Sequence, residues 1–141
     1  MKRICITSVI DELDECGMVE SSDKSESTAD LTVTEVGSIL TLSFTELSDG
    51  GKTDSLITVK GDEITVRRKG AVVSEFVFRE GFCHKSLYKV VPYSFDAEIF
   101  TRKIRNNLTR GVGTLSILYD MTVGGSKKRV NMKISVLEVE T

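Results

Sequence analysis

The stretch GTLSILYDMTVGGSKKRVNMKISVLEV, residues 113–139, decides the fold class. Every second residue from Leu115 to Val123 is apolar, and a second alternating run follows after a glycine pair and three cations. A period of two predicts strands with one buried and one exposed face. The segment is therefore predicted to form an antiparallel β-hairpin.

Two registers keep the apolar residues of this hairpin on one side. With Ser126-Lys127 at the centre of the turn, Asp120 faces Lys133 across the hairpin. A register shifted by two residues, with Gly125-Ser126 at the centre, keeps the apolar side but loses that pair. We favour the first register because opposite charges that face each other stabilise a strand pair. Asp120 is then an outward-facing residue and not a catalytic acid.

Two earlier hairpins have better-defined registers. In LTVTEVGSILTLSF, residues 31–44, placing Gly37-Ser38 at the turn makes the apolar sides coincide, and a glycine at the first central position suits a type II′ turn. In LITVKGDEITVRRKG, residues 56–70, a turn at Gly61-Asp62 aligns apolar residues on one face. The same register places Lys60 opposite Glu63 on the other face.

The remaining chain contains further alternating runs, and no helical period is evident. We interpret residues 11–27 as a long exposed acidic loop and RNNLTRGVG, residues 105–113, as polar and turn-rich. Gly70, Gly81 and Pro92 mark further strand ends. About eight to ten strands joined by short turns predict an all-β antiparallel meander, which should close into a barrel because closure removes exposed strand edges.

Composition describes a folded protein and excludes several classes. The chain of 141 residues is long enough for one domain, spanning 1–141, with a core of its own. No run of about 20 apolar residues predicts a membrane span, and no cleavage site follows the first apolar run. Three scattered cysteines imply no disulfide framework. We therefore expect a cytoplasmic protein that does not associate with membranes; its oligomeric state stays open.

No motif for catalysis or metal binding is present, so we expect no enzymatic activity and no cofactor. Cys83 and the one histidine, His84, are adjacent, and neighbours on a strand point to opposite faces. They therefore do not form a nucleophile and base pair. A zinc site would need both residues and distant partners.

Taken in order, several segments resemble the YwiB-like bacterial domains of unknown function. They are ITSVI, ILTLSFTE, ITVRRKGAVVSEFVF, VPYSF, and above all GTLSILYDMTVGG with NMKISV after it. The resemblance covers residues 2–138 and implies a lipocalin-like (calycin) β-barrel. It differs at Ser94, where the family is expected to have glycine, and in the length of the acidic stretch. It implies no activity, and the ligand binding of other lipocalin-like barrels extends to this chain only by analogy of fold.

Aromatic and methionine residues are the candidates for lining a ligand cavity, because tyrosine supplies polar contacts and methionine adapts to shape. The alternative is that they simply fill the barrel. The candidates are Tyr88, Tyr93, Phe95, Tyr119, Met121 and Met132.

Two functional hypotheses follow. The first is a non-enzymatic barrel that binds a small apolar or amphipathic ligand in its interior. The second is an interaction module that uses basic hairpin turns against nucleic acid or an acidic protein. Charge is divided unevenly, −8 in residues 1–54 and +6 in residues 55–141, and the cations cluster in 67–69, 127–129 and, more loosely, 102–110. Phosphate binding needs such clusters on one surface, but a pI of about 5.5 argues against a nucleic-acid partner.

Overall fold

The computed structural model describes residues 1–48 and 50–139. These residues form ten antiparallel strands in a closed barrel, in which each strand pairs with the next and β1 pairs with β10. This architecture confirms the predicted all-β antiparallel barrel. The strands are β1 (Lys2–Leu13), β2 (Val19–Val36), β3 (Ile39–Ser48), β4 (Gly51–Lys60), β5 (Glu63–Gly70), β6 (Val72–Phe78), β7 (Cys83–Val90), β8 (Tyr93–Thr109), β9 (Val112–Val123) and β10 (Ser126–Glu138).

The two hairpins with well-defined turns have the predicted registers. Leu31 pairs with Phe44 in the β2–β3 hairpin, and Lys60 pairs with Glu63 in the β4–β5 hairpin. Gly37 and Gly61 open these turns with φ angles of 62° and 61°. Only glycine adopts such angles readily, so the turn residue sets the register.

The β9–β10 hairpin has neither of the two registers considered from the sequence. Val123 pairs with Ser126, so the turn is centred on the glycine pair Gly124-Gly125, and Asp120 pairs with Arg129. Both glycines have positive φ, at 57° and 81°. A two-residue turn of type I′ needs this conformation at both positions. The shift from the favoured register is even, so the same side chains remain on the inner face.

Residues 11–27 are not a loop, which corrects that prediction. β1 continues to Leu13 and pairs with β2 from Val19 onward, leaving a short turn between them. The segment is exposed, as expected. Its serines and acids pair across the two strands, as in the 2.7 Å hydrogen bond from Ser22 Oγ to Asp11 Oδ1. Backbone pairing with β1 therefore decides the conformation, although the composition is typical of loops.

Similarly, most of the predicted polar turn 105–113 belongs to β8, which continues to Thr109.

The core fills the inner face of the barrel with apolar side chains, as one-sided alternation predicts. β4 shows the pattern, since Ile57 and Val59 are buried while Lys60 is exposed. Most of the core side chains are large and aliphatic, which gives a solid interior over much of the barrel. The largest apolar side chains that are fully buried are Phe78, Ile4, Leu42, Ile57, Ile64, Ile99, Leu115, Ile117, Ile134 and Val136.

Candidate ligand cavity

The inner face changes from apolar to polar toward one end of the barrel. On β5 the inward residues Ile64 and Val66 are followed by Arg68, and on β3 Phe44 is followed by Glu46. Inward polar residues also lie on β4, where Ser55 pairs with Arg68 and Thr53 pairs with Glu46. The registers of three neighbouring strands thus gather these polar groups at the same end.

A cavity of about 460 Å³ occupies this polar end of the barrel. Its volume is within the range of small-molecule sites. One part of its wall is apolar and aromatic, and the other part carries hydroxyl groups and one ion pair. The apolar part includes Ile10, Phe76, Tyr88, Tyr119, Met121, Val130 and Met132, and the polar part includes Ser8, Ser25, Ser27, Glu46, Thr53 and Arg68.

Four of the six predicted lining residues meet in this cavity: Tyr88, Tyr119, Met121 and Met132. Tyr93 and Phe95 do not, which corrects their placement inside the barrel; their exposed fractions are 66% and 39%. Phe95 follows the inward alternation, but the pairing of β8 with β9 begins only at Ala97. No β9 residue is therefore paired across from Phe95 to cover it.

Contacts with phenylalanine rings hold both tyrosines in the cavity wall. Tyr88 stacks on Phe76 with ring centroids 5.9 Å apart, and Tyr119 packs against Phe78 at 4.8 Å. Burial raises the pKa of Tyr119 to about 12, although the positive charge of Arg68 acts in the opposite direction. The Tyr119 hydroxyl therefore stays protonated near neutral pH and can donate a hydrogen bond.

Arg68 and Glu46 form a loose ion pair inside the barrel. Arg68 Nε lies 3.9 Å from Glu46 Oε1, and the two side chains are 23% and 26% exposed. The Glu46 carboxylate instead accepts hydrogen bonds of 3.2 Å from the hydroxyls of Ser27 and Ser55. In the sequence Arg68 belongs to the basic cluster 67–69, and Glu46 is not among the predicted site residues. The sequence does indicate that both side chains face the interior, because each residue continues a series of alternating apolar residues on its strand.

The wall beside Arg68 is incompletely paired. β6 and β7 share only the pairs of Val72 with Val90 and of Val73 with Lys89. Farther along, a side chain spans the opening, where His84 Nε2 lies 3.1 Å from the carbonyl oxygen of Glu75. A depression of about 410 Å³ occupies this opening. Arg68 lines both the depression and the barrel cavity.

The cavity also has a mouth between β2 and β3. These strands pair only from Leu31 and Phe44 toward their shared turn. Beyond that point β2 pairs with β1 alone among the described strands. The hydrogen bond from Ser27 to Glu46 crosses the gap, and exposed Glu26 and Leu47 form part of the rim.

Asp120 lies on the outer face, as predicted, but its partner is not Lys133, which pairs with Ser116. It is 4% exposed and binds two arginines, with 2.7 Å from Oδ2 to Arg102 Nη2 and 2.9 Å from Oδ1 to Arg129 Nε. Burial would raise the pKa of Asp120, but the hydrogen bonds and the positive charges of both guanidinium groups together outweigh burial and lower that pKa.

A β-bulge brings Arg102 to Asp120. The β8–β9 register shifts between Thr101 and Lys103, which makes Arg102 the extra residue on its strand. A bulge changes the direction of the side chain at that position. No alternation in the sequence indicates this insertion, so the second arginine of the site could not be assigned from it.

Cys83 and His84 point to different partners, as the strand geometry requires. The Cys83 thiol donates a 3.1 Å hydrogen bond to Glu98 Oε1, while His84 faces Glu75. This hydrogen bond to Glu98, together with a small contribution from burial, raises the pKa of Cys83 and disfavours the reactive thiolate. Within the described part of the chain, no group of three or more His, Cys, Asp or Glu side chains is placed to hold a metal ion.

The basic clusters contain many paired cations. Arg67 Nη2 lies 3.3 Å from Glu75, Lys128 Nζ lies 3.8 Å from Glu12, and Arg129 binds Asp120. Arg68 lies on the inward side of β5, whereas Arg67 and Lys69 are exposed on its outer side. No helix in residues 1–48 and 50–139 is long and apolar enough to cross a membrane.

Comparison with known proteins identifies the family of the chain. A model of a domain of unknown function, DUF1934, matches residues 6–134. The uncharacterized β-barrel protein YwiB of Bacillus subtilis (strain 168) is 33% identical over 95 residues, which are 67% of each chain. The crystal structure of the B. subtilis ywiB protein superposes with a TM-score of 0.70 at 23% identity, covering 97% of this chain and 94% of the other. The protein described here therefore belongs to the DUF1934 family of β-barrel proteins, whose function is unknown.

Proposed function

We propose that the protein is a non-enzymatic, cytoplasmic binding protein for a small amphipathic molecule, which it holds at the polar end of the barrel. The proposal rests on the cavity of about 460 Å³, which has one aromatic and apolar wall and one polar wall. Binding sites for small molecules combine a mainly apolar lining with a few placed polar groups. A molecule with an apolar body and a polar head matches this division.

Binding is better supported than acid–base catalysis. A general acid or base works best when its pKa is near the working pH. The pKa of Tyr119 is raised to about 12 by burial, which is far from neutral. Asp120, whose pKa is lowered by its two arginines, lies on the outer face away from the cavity. The groups with shifted pKa values therefore do not favour a proton-transfer reaction in the cavity.

Two measurements test the proposal. Native mass spectrometry of gently purified protein should show a bound species at one copy per chain. Titration with the neutral fluorophore N-phenyl-1-naphthylamine should give saturable binding at one site. A protein that carries no ligand and binds no fluorophore would overturn the proposal.

A pair of matched variants locates the site. Ser8 lines the cavity, so Ser8→Phe should fill part of it and weaken binding of the fluorophore by about tenfold or more. Ser43 is exposed on the outer face of β3, so Ser43→Phe makes the same change outside the cavity and should leave binding unchanged. Equal effects of the two variants would place the fluorophore elsewhere and contradict the proposal.

The second hypothesis is that the basic turns bind nucleic acid or an acidic protein. Arg67 and Lys69 remain the outward cations of the first cluster, and Arg67 is paired with Glu75. Binding of RNA or DNA that weakens steeply with salt, and is lost in Arg67→Ala/Lys69→Ala, would support that hypothesis instead.

A further inference from the structure

We infer that the ligand carries a carboxylate, and that this carboxylate binds Arg68 where the barrel cavity meets the opening between β6 and β7. The inference rests on the proposed function, because it specifies the chemistry of the ligand for that same cavity. Three observations support it: the hydrogen-bonding state of Arg68, an unpartnered hydroxyl beside Arg68, and the charges around the opening.

Arg68 has donors available for a ligand. Among the described residues, Glu46 is the one acidic group within 4 Å of it, and the 3.9 Å separation of Nε from Oε1 is too long for a hydrogen bond. Glu46 is already hydrogen-bonded by Ser27 and Ser55. The guanidinium group therefore keeps its planar set of donors for another partner. That geometry matches a carboxylate through two parallel hydrogen bonds.

A second donor lies directly beside Arg68. Ser74 pairs with Arg68 across the β5–β6 ladder and is only 4% exposed. Two buried hydroxyls in the described part of the protein have no hydrogen-bond partner, those of Ser74 and Thr101, and Ser74 is the one that lines the opening. A buried polar group without a partner is costly, and such groups in native structures need an explanation. A ligand oxygen that accepts hydrogen bonds from both Ser74 and Arg68 supplies that partner.

The opening between β6 and β7 has the charge that an anion requires. Its lining carries the cations Arg67, Lys69 and Lys89 in addition to Arg68, and its one acid is Glu75. Glu75 is paired with Arg67 at 3.3 Å. The mouth on the β2 side carries Glu26 and Glu46 instead. An amphipathic anion is thus oriented with its head toward the basic opening and its apolar body against the aromatic wall.

Three probes with the same alkyl chain test the head group: decanoate, decan-1-ol and decylammonium. Each competes with N-phenyl-1-naphthylamine for the intact protein at low ionic strength. We expect decanoate to displace the fluorophore at a concentration about tenfold lower than decan-1-ol, since a charge-assisted hydrogen bond to Arg68 adds to the shared apolar contribution. Decylammonium should be the weakest competitor because it would face the guanidinium group.

Variants assign the preference to Arg68. Arg68→Met removes the guanidinium group but keeps an unbranched apolar stem, and it should reduce the preference for decanoate over decan-1-ol to less than about threefold, with fluorophore binding retained. Arg68→Met/Glu46→Gln removes both charges and tests the same point without an unpaired carboxylate in the cavity. Arg105→Met changes an exposed arginine of β8 that lines neither the cavity nor the opening, and it should leave the preference intact.

The outcomes separate this inference from the proposed function. Fluorophore binding with equal competition by decanoate and decan-1-ol overturns the carboxylate assignment and leaves the binding function standing. Strongest competition by decylammonium overturns it as well and points to Glu46 as the group that recognises the head. A preference for decanoate that persists in both Arg68 variants overturns the role of Arg68. Failure of the fluorophore to bind overturns the proposed function itself.

Discussion

Replacing Asp120 with asparagine tests how much the ion pairs on the outer face stabilise the barrel. Asp120 joins β9 to both neighbouring strands, since Arg102 lies on β8 and Arg129 on β10. Asparagine has almost the same shape but no charge. The change therefore weakens the hydrogen bonds to both arginines while leaving the strand pairing intact.

The magnitude follows from the exposure of the partners. The Asp120 side chain is 5% exposed, whereas those of Arg102 and Arg129 are 40% and 36% exposed. Breaking a buried ion pair costs about 3–5 kcal/mol, while an exposed pair contributes less than about 1 kcal/mol. Because the arginines remain partly hydrated, we expect Asp120→Asn to lower the free energy of unfolding by about 2 kcal/mol at pH 7.

The difference in the free energy of unfolding between wild type and Asp120→Asn should decrease at acidic pH. The pKa of Asp120 in the folded protein is lowered by its arginines, and that of the unfolded chain is about 4. The carboxylate therefore stabilises the fold above pH 4, and this contribution is lost as the pH falls through the lowered pKa. The difference between wild type and Asp120→Asn should shrink over that acidic range.

Urea unfolding of both proteins from pH 7 down to pH 3 measures this difference. Asp30→Asn is the control, because Asp30 is 71% exposed and lies 3.8 Å from Arg3, so its loss should cost less than about 0.5 kcal/mol. Equal stability of wild type and Asp120→Asn at pH 7 would refute the structural role of the pair. A difference that stays constant down to pH 3 would refute its electrostatic origin.

Three further outcomes are expected. Gly113→Ala should lower the free energy of unfolding by about 2–3 kcal/mol in urea titrations, because its φ of 127° is strained for alanine and a Cβ atom would overlap the backbone of β8; unchanged stability would contradict this geometry. In ultraviolet titrations, Tyr119 should ionise only near pH 12, and Tyr119→Phe should remove that step alone. Because the pKa in the folded state is raised, the stability that this group contributes should be present below about pH 10 and should be lost as the pH rises toward 12. Iodoacetamide should label Cys83 more slowly than exposed Cys16 at pH 8, and Glu98→Gln should speed labelling of Cys83, as measured by peptide mass spectrometry; equal rates in wild type would exclude the effect of the Glu98 hydrogen bond.

Local turn chemistry explains which strand registers could be predicted. Gly37 and Gly61 each open a two-residue turn, and both predicted registers are confirmed. In the β9–β10 hairpin the favoured register depends on the Asp120–Lys133 charge pair and not on the adjacent glycine pair, and this register is wrong. Positive φ at Gly124 and Gly125 is a steric requirement of the turn, whereas one exposed ion pair contributes little.

Local composition is a poor guide to the exposed strands and to the position of Arg68. Residues 11–27 have a loop-like composition but pair as strands, because a long antiparallel ladder satisfies their backbone groups. Arg68 lies between two other cations in the sequence, a pattern that is typical of a solvated surface cluster. Its alternation with Ile64 and Val66 was the better guide, since a strand residue faces the side that its position in the period dictates.

The sequence by itself determined the strand faces, most turns and the all-β class, because each depends on contacts between near neighbours in the chain. Only the tertiary structure decided where the barrel is filled and where it is hollow. The cavity is lined by Ser8 from β1, Arg68 from β5 and Tyr119 from β9, and their convergence depends on the pairing of the strands around the whole barrel. Closure of the barrel sets that relative stagger over the whole molecule, so no local pattern encodes it.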